Sequence, residues 1–225
     1  MSRYAVYAVP GAGEVDTPAA VRLARAVDAW YARDDVQDLT VDARRYGLHA
    51  TLKAPFRLAA GRTEAELRQA ADEFAAARNP VAIPSIRVAA IDRFRALLPG
   101  GEEADLDSLA ADVVRRFEEF RAPLGEADIR RRRPEQLTQR QRELLERWGY
   151  PYVLEEFRFH LTLTDNVPAE RAQEIDAALG EHFADVTGLD VPVTSIVISV
   201  EPEPGAAFRI LSVHPFTDRS SLEAV

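Results

Sequence analysis

The chain of 225 residues contains no cysteine. That excludes a disulfide framework, a thiolate metal site and a thiol nucleophile, and it suits a reducing compartment, so the cytoplasm is the expected location. Positive charge is also short, with 28 Lys and Arg against 37 Asp and Glu and a formal net charge of −9. Broad adhesion to duplex nucleic acid or to anionic membrane needs a large positive surface, so neither is an expected partner. No segment comes near the roughly 20 consecutive apolar residues that cross a bilayer, and the start, MSRYAVYAVPGAGEVD, has no basic region followed by a long apolar run. The expectation is a soluble, unprocessed protein. Lysine occurs once, at Lys53, and arginine supplies the rest of the positive charge.

What is present is enough apolar material, 47% of the residues, to fill one large core or the cores of two small lobes. RYAVYAVP (3–10) reads as a strand, and TPAAVRLARAVDAWYAR (17–33) as a helix opened by Thr17 and Pro18 at cap and first-turn positions. Helices are also predicted over 63–78, which begins TEAE in capping style, over 103–122, over 135–148 behind Pro134, and over 168–184. Strands are predicted near 81–90 and 93–98, and again in the pair of strands that follows Leu189. The final TDRSSLEAV reads as a loose tail.

Two strands carry unusual chemistry. In GLHATLK (47–53) His49, Thr51 and Lys53 alternate with Leu48, Ala50 and Leu52. In FRFHLTLT (157–164) Arg158, His160, Thr162 and Thr164 alternate with Phe157, Phe159, Leu161 and Leu163. Residues two apart share a face of a strand, so each histidine is expected beside its threonine, with the apolar side packed under helices. Each histidine strand is followed by a helix and two strands, and a proline recurs (Pro84, Pro192) when the segments are aligned. The expected architecture is therefore α+β: a bilobal, pseudo-twofold duplication in which two antiparallel sheets flank a central cleft and carry helices on their outer faces. The first repeat covers about 47–98, a helical connector about 103–148, and the second repeat about 156–216, all in one domain over 1–225.

Two imidazoles facing one cleft suit a reaction that removes a proton from a nucleophile and gives one to a leaving oxygen. Two threonine hydroxyls could hold the non-bridging oxygens of a tetrahedral anion, with Lys53 and Arg158 adding positive charge. Hydrolysis of a phosphodiester fits these parts. Arg44 and Arg45, just before the first motif, read either as solvated surface or as contacts to substrate phosphate; Thr164, Tyr150 and Tyr152 are further candidate contacts, the tyrosines either core or a stacking surface. DIRRRRPEQLTQRQR (128–142) holds six arginines, which read either as a solvated helix start or as a phosphate-gripping edge. His182 is expected to serve the end of its helix and His214 to be exposed. Neither has neighbours at ligand spacing, so no metal and no cofactor is expected.

The paired HATL (49–52) and HLTL (160–163) resemble the signature of the 2H phosphoesterase superfamily, and the resemblance covers nearly the whole order of elements. It implies a bilobal, metal-independent enzyme that opens 2′,3′-cyclic phosphates or related 2′–5′ linkages. His49 and His160 would be the acid and base, and Thr51 and Thr162 the phosphate contacts, with the order of the two histidines left open. RRYGLHATLKAPFRL together with WGYPYVLEEFRFHLTLT is similar to a branch of that superfamily encoded beside phosphonate-catabolism genes, which implies a small sugar cyclic phosphate such as a ribose 1,2-cyclic phosphate bearing a 5-phosphate. Two alternatives stand beside that cyclic phosphodiesterase. One is an RNA-end 2′,3′-cyclic phosphodiesterase or 2′–5′ RNA ligase, and the other a non-catalytic sensor of a phosphorylated sugar or nucleotide.

Overall fold

The computed structural model of the chain describes residues 2–13 and 17–217, so the expected tail lies, from residue 218 on, outside the described residues. Strand β1 (Arg3–Ala8) leads to helix α1 (Pro18–Tyr31), whose Thr17 side chain accepts a hydrogen bond from the Ala20 amide at 3.3 Å. A short helix α2 (Val41–Tyr46) precedes β2 (Ala50–Phe56). Helix α3 (Glu64–Ala76) is held at its start by a reciprocal Thr63 and Glu66 capping box. Then come β3 (Val81–Ile83), β4 (Arg87–Ile91) and β5 (Phe94–Leu98), and the helices α4 (Ala104–Arg116), α5 (Glu126–Arg131) and α6 (Gln139–Trp148). The last third holds β6 (Leu161–Thr162), α7 (Ala172–His182), β7 (Val191–Val193), β8 (Ser195–Glu201) and β9 (Arg209–Pro215).

The architecture is α+β with antiparallel sheets. One sheet has the order β2-β1-β8-β9, a second β4-β5-β6, and β3 pairs with β7 between them. This differs from the expected lobes of one contiguous segment each. The hairpin β8-β9 of the second segment lies in the sheet that holds the first histidine strand, and the hairpin β4-β5 of the first segment pairs with the second. The core is shared as well: one cluster runs from Val6 and Ile198 through Ile83 and Val191 to Leu97 and Leu161. A sheet can exchange strands in this way because its ladder bonds depend on neighbours in space, not in sequence.

Both histidine strands end up on sheet edges, β2 in the first sheet and β6 in the second. The strand expected over 156–164 pairs only at Leu161 and Thr162, behind a turn of 3-10 helix at Leu154–Glu156. Its alternation nevertheless persists, with Phe159, Leu161 and Leu163 fully buried and His160 and Thr162 half-buried.

Two other expectations change. His214 is not exposed: it is 2% accessible under α3, with Nδ1 at 2.6 Å from the Asp72 carboxylate and Nε2 at 2.8 Å from the Ser212 hydroxyl. His182 serves a neighbouring helix rather than its own, with Nε2 at 2.8 Å from the Ala26 carbonyl and its ring edge-on to Trp30.

Candidate active site

The loop from α2 into β2 turns at Gly47, whose φ of 69° favours glycine, and delivers His49 at the mouth of the strand. There the imidazole lies against Tyr7, with ring centroids 4.3 Å apart, and stacks on Tyr46 at 5.5 Å. His49 Nδ1 is 2.9 Å from the Gly47 carbonyl, and His160 Nδ1 is 2.8 Å from the Arg158 carbonyl. A carbonyl can only accept, so each Nδ1 carries the hydrogen and each Nε2 keeps its lone pair. Both motifs thus hold histidine by the carbonyl two residues upstream.

Burial is the main reason that His49 is pushed down to about 4, with the bond to Gly47 opposing and the charge of His160 adding to the fall. His160 is itself lowered, chiefly by burial, against the bond to the Arg158 carbonyl and with help from the Arg158 guanidinium. In the free protein both imidazoles are therefore neutral at pH 7.

A cleft of about 640 Å³ is lined by His49 and Thr51 from the first sheet and by Thr162 from the second. Among the described residues neither threonine hydroxyl is engaged by another protein group, so both are available to a ligand. The strand carrying Thr162 is fixed from behind, where Tyr31 donates to the Thr162 carbonyl at 2.7 Å and the Trp30 indole to the Leu163 carbonyl at 2.9 Å. Asp165 ties the two motifs together: its carboxylate accepts the amides of Asp42 and Ala43, both at 3.0 Å, and so caps α2.

The remaining candidates divide. Arg45 and Tyr150 line the cleft, Arg45 held by Glu201 at 2.5 Å. Arg158 is exposed and close enough to lower His160. Lys53 is elsewhere. Tyr7 pairs with Thr51 while its neighbour Val6 pairs with Lys53, so Leu52 is an extra residue, and the bulge turns Lys53 to the core side of the sheet. It is 3% exposed and donates to Glu118 at 2.8 Å and to the Val114 carbonyl. Thr164 also faces inward, its hydroxyl accepting the Arg95 amide at 2.9 Å. Arg44 folds back on the carbonyls of Thr40 and Gln37, and Tyr152, 46% exposed, meets only the edge of Tyr150.

Reading the motif strands alone misses several cleft residues, among them Arg3 and Tyr7, on one face of β1, with Tyr46, Arg131 and Arg132. A signal existed in β1, since an arginine and a tyrosine four apart share one face of a strand that is otherwise core. Arg3 and Arg45 both bind the fully buried carboxylate of Glu201. Among the described residues no group of three or more His, Asp and Glu is placed to hold a metal ion, and no helix is long and apolar enough to cross a membrane.

Residues 51–209 match the family described as Protein of unknown function (DUF1045). The chain belongs to that family. It is 38% identical over 247 aligned positions to a protein of Janthinobacterium sp. (strain Marseille) named ribose 1,5-bisphosphate phosphokinase PhnN, with 99% of this chain and 53% of the relative covered. A protein of the same name from Laribacter hongkongensis (strain HLHK9) is 35% identical over 227 positions, covering 92% of this chain and 50% of the relative. The chain thus spans about half the length of the curated relatives it matches.

Proposed function

We propose that this chain is a cyclic phosphodiesterase that opens a small sugar or nucleotide cyclic phosphate without a metal. What supports this is that His49, Thr51 and Thr162 line one cleft, and that His160, which is not among the residues lining it, sits two residues before Thr162 and is held through Nδ1 by the carbonyl two residues upstream, as His49 is. One Nε2 takes a proton from water as its oxygen attacks phosphorus. The other histidine, protonated when the substrate's negative charge raises its pKa, gives that proton to the departing sugar oxygen as the ring P–O bond breaks. Thr51 and Thr162 donate to the non-bridging oxygens. A proton has then passed from one histidine to the other, and exchange with solvent resets the pair. The repeated order of elements, with hairpins exchanged between sheets, supports the reading of the two segments as related copies.

The phosphokinase name belongs to proteins twice this length. This chain has no GxxxxGK[ST] loop, and its single lysine is buried against Glu118. In our reading the kinase step belongs to the other half of those relatives and this half acts before it. Opening ribose 1,2-cyclic phosphate 5-phosphate at the P–O2 bond yields ribose 1,5-bisphosphate, the compound in their name, and places the protein in phosphonate catabolism. The test is incubation with cyclic phosphates in EDTA, followed by phosphorus NMR. Ring opening that survives the chelator and is lost in His160→Ala supports the reading; full activity in that variant refutes it.

A further inference from the structure

Among the described residues two polar side chains at the cleft, those of Tyr7 and Arg132, form no hydrogen bond or ion pair. Tyr7 is one of the residues lining the cleft and is 1% exposed, and among the described residues its buried hydroxyl has no hydrogen-bond partner. A buried hydroxyl left without a partner loses its hydrogen bonds to water and gains none, and proteins keep few of them.

The second is Arg132. In the arginine run Arg130 pairs with Glu126 and Arg131 with Asp128, both on α5, while Arg133 takes a left-handed φ of 48° and turns the chain toward Pro134. That turn leaves Arg132 at the end of α5, directed into the cleft, with its guanidinium 4.6 Å from the centre of the Tyr150 ring. The other arginines of the cleft have carboxylates: Arg3 and Arg45 share Glu201, and Arg131 has Asp128. Arg132 forms no ion pair among the described residues. Burial weighs on its charge more than any neighbour relieves it, and a guanidinium does not escape by losing a proton. A partly desolvated cation with no counter-charge is suited to an anion from outside. Tyr7 and Arg132 line the same cleft, together with Tyr46, Tyr150 and Arg3.

We propose that Arg132 and the Tyr7 hydroxyl form a second anion subsite that takes a terminal phosphomonoester of the ligand. The assignment of the cyclic diester to the histidines rests on the function proposed above; the subsite itself does not. The aromatic rings argue for a sugar phosphate over a nucleotide. Tyr46 is stacked on Phe208 at 5.0 Å and on His49 at 5.5 Å, and Arg132 lies over the Tyr150 ring, so protein groups already take up ring face that a base would need.

The test is calorimetric titration of the full chain with ribose 5-phosphate, with ribose as control. Ribose 5-phosphate should bind and ribose should not. Arg132→Gln should weaken binding about ten- to a hundredfold, and Tyr7→Phe by a smaller factor, with the melting midpoint of Tyr7→Phe at or above wild type because the hydroxyl it removes has no internal partner among the described residues. Equal binding by Arg132→Gln, a loss in His160→Ala alone, or no binding by wild type would overturn the subsite. Weakened binding in Arg132→Gln without hydrolysis of any cyclic phosphate keeps the subsite and removes the hydrolase reading. Hydrolysis with ribose 5-phosphate binding untouched by Arg132→Gln does the reverse.

Discussion

The ammonium of Lys53 lies 2.8 Å from the carboxylate of Glu118, on the core side of the sheet whose edge carries His49. The pair is structural. Glu118→Gln leaves the buried Lys53 cation without its counter-charge and also takes the carboxylate from Arg121, and should cost about 3 kcal/mol in urea unfolding. Lys53→Met, which removes the buried charge altogether, should cost less and leave the affinity for ribose 5-phosphate within error. A large loss of ligand affinity in Lys53→Met would show that the bulge is misplaced.

The half-buried imidazole of His49 makes stability depend on pH. Its pKa is near 4 when folded against about 6.5 when unfolded, so between those values the unfolded chain binds more protons and stability rises with pH. The contribution is complete above 6.5 and is lost as pH falls toward 4. His49→Gln should flatten that part of the stability curve, and the ring protons of His49 should titrate far below those of a free histidine in NMR.

Activity should follow the same pair. Turnover needs one neutral and one protonated imidazole, and both are lowered in the free protein, so kcat/KM should peak on the acid side of 6.5. Replacing either histidine by alanine should cost about 10²–10⁴ in kcat. Thr51→Val and Thr162→Val should each cost about 10²–10³, the range for loss of one oxyanion donor. A profile with an optimum well above neutrality would contradict these roles.

Asp165 caps α2 from more than a hundred residues away. Asp165→Ala should cost about 1–2 kcal/mol and loosen Tyr46, which stacks on His49. Hydrogen exchange at residues 42–46 should rise first, and unchanged protection there would count against the cap.

Local chemistry was legible where local bonds decide it. The caps at Thr17 and Thr63 form as side chain and spacing dictate, and His49 shares a face with Thr51 because they lie before the bulge. Lys53 lies after it, and a bulge depends on the partner strand, which pattern alone does not name. The predicted helix over 135–148 begins at Gln139 behind its own capping box, and 103–122 ends at Arg116 before a 3-10 turn. Tyr7 and Arg132 reach the cleft from β1 and from a turn near the middle of the chain. His214 is buried by a partner on α3. Each of these rests on contacts between distant segments, and alternation within one strand carries no trace of them.

The pairing of Arg3 with Glu201 in the β1–β8 ladder sets the order of events during synthesis. The central strand of the first sheet waits for a neighbour nearly two hundred residues downstream, so β1 and β2 emerge from the ribosome with one flank unsatisfied. Long-range closure of this kind slows folding and leaves open edges exposed meanwhile. A fragment that stops before β8, or one that starts after β2, would leave a sheet without its partner, and should aggregate rather than fold as half a protein.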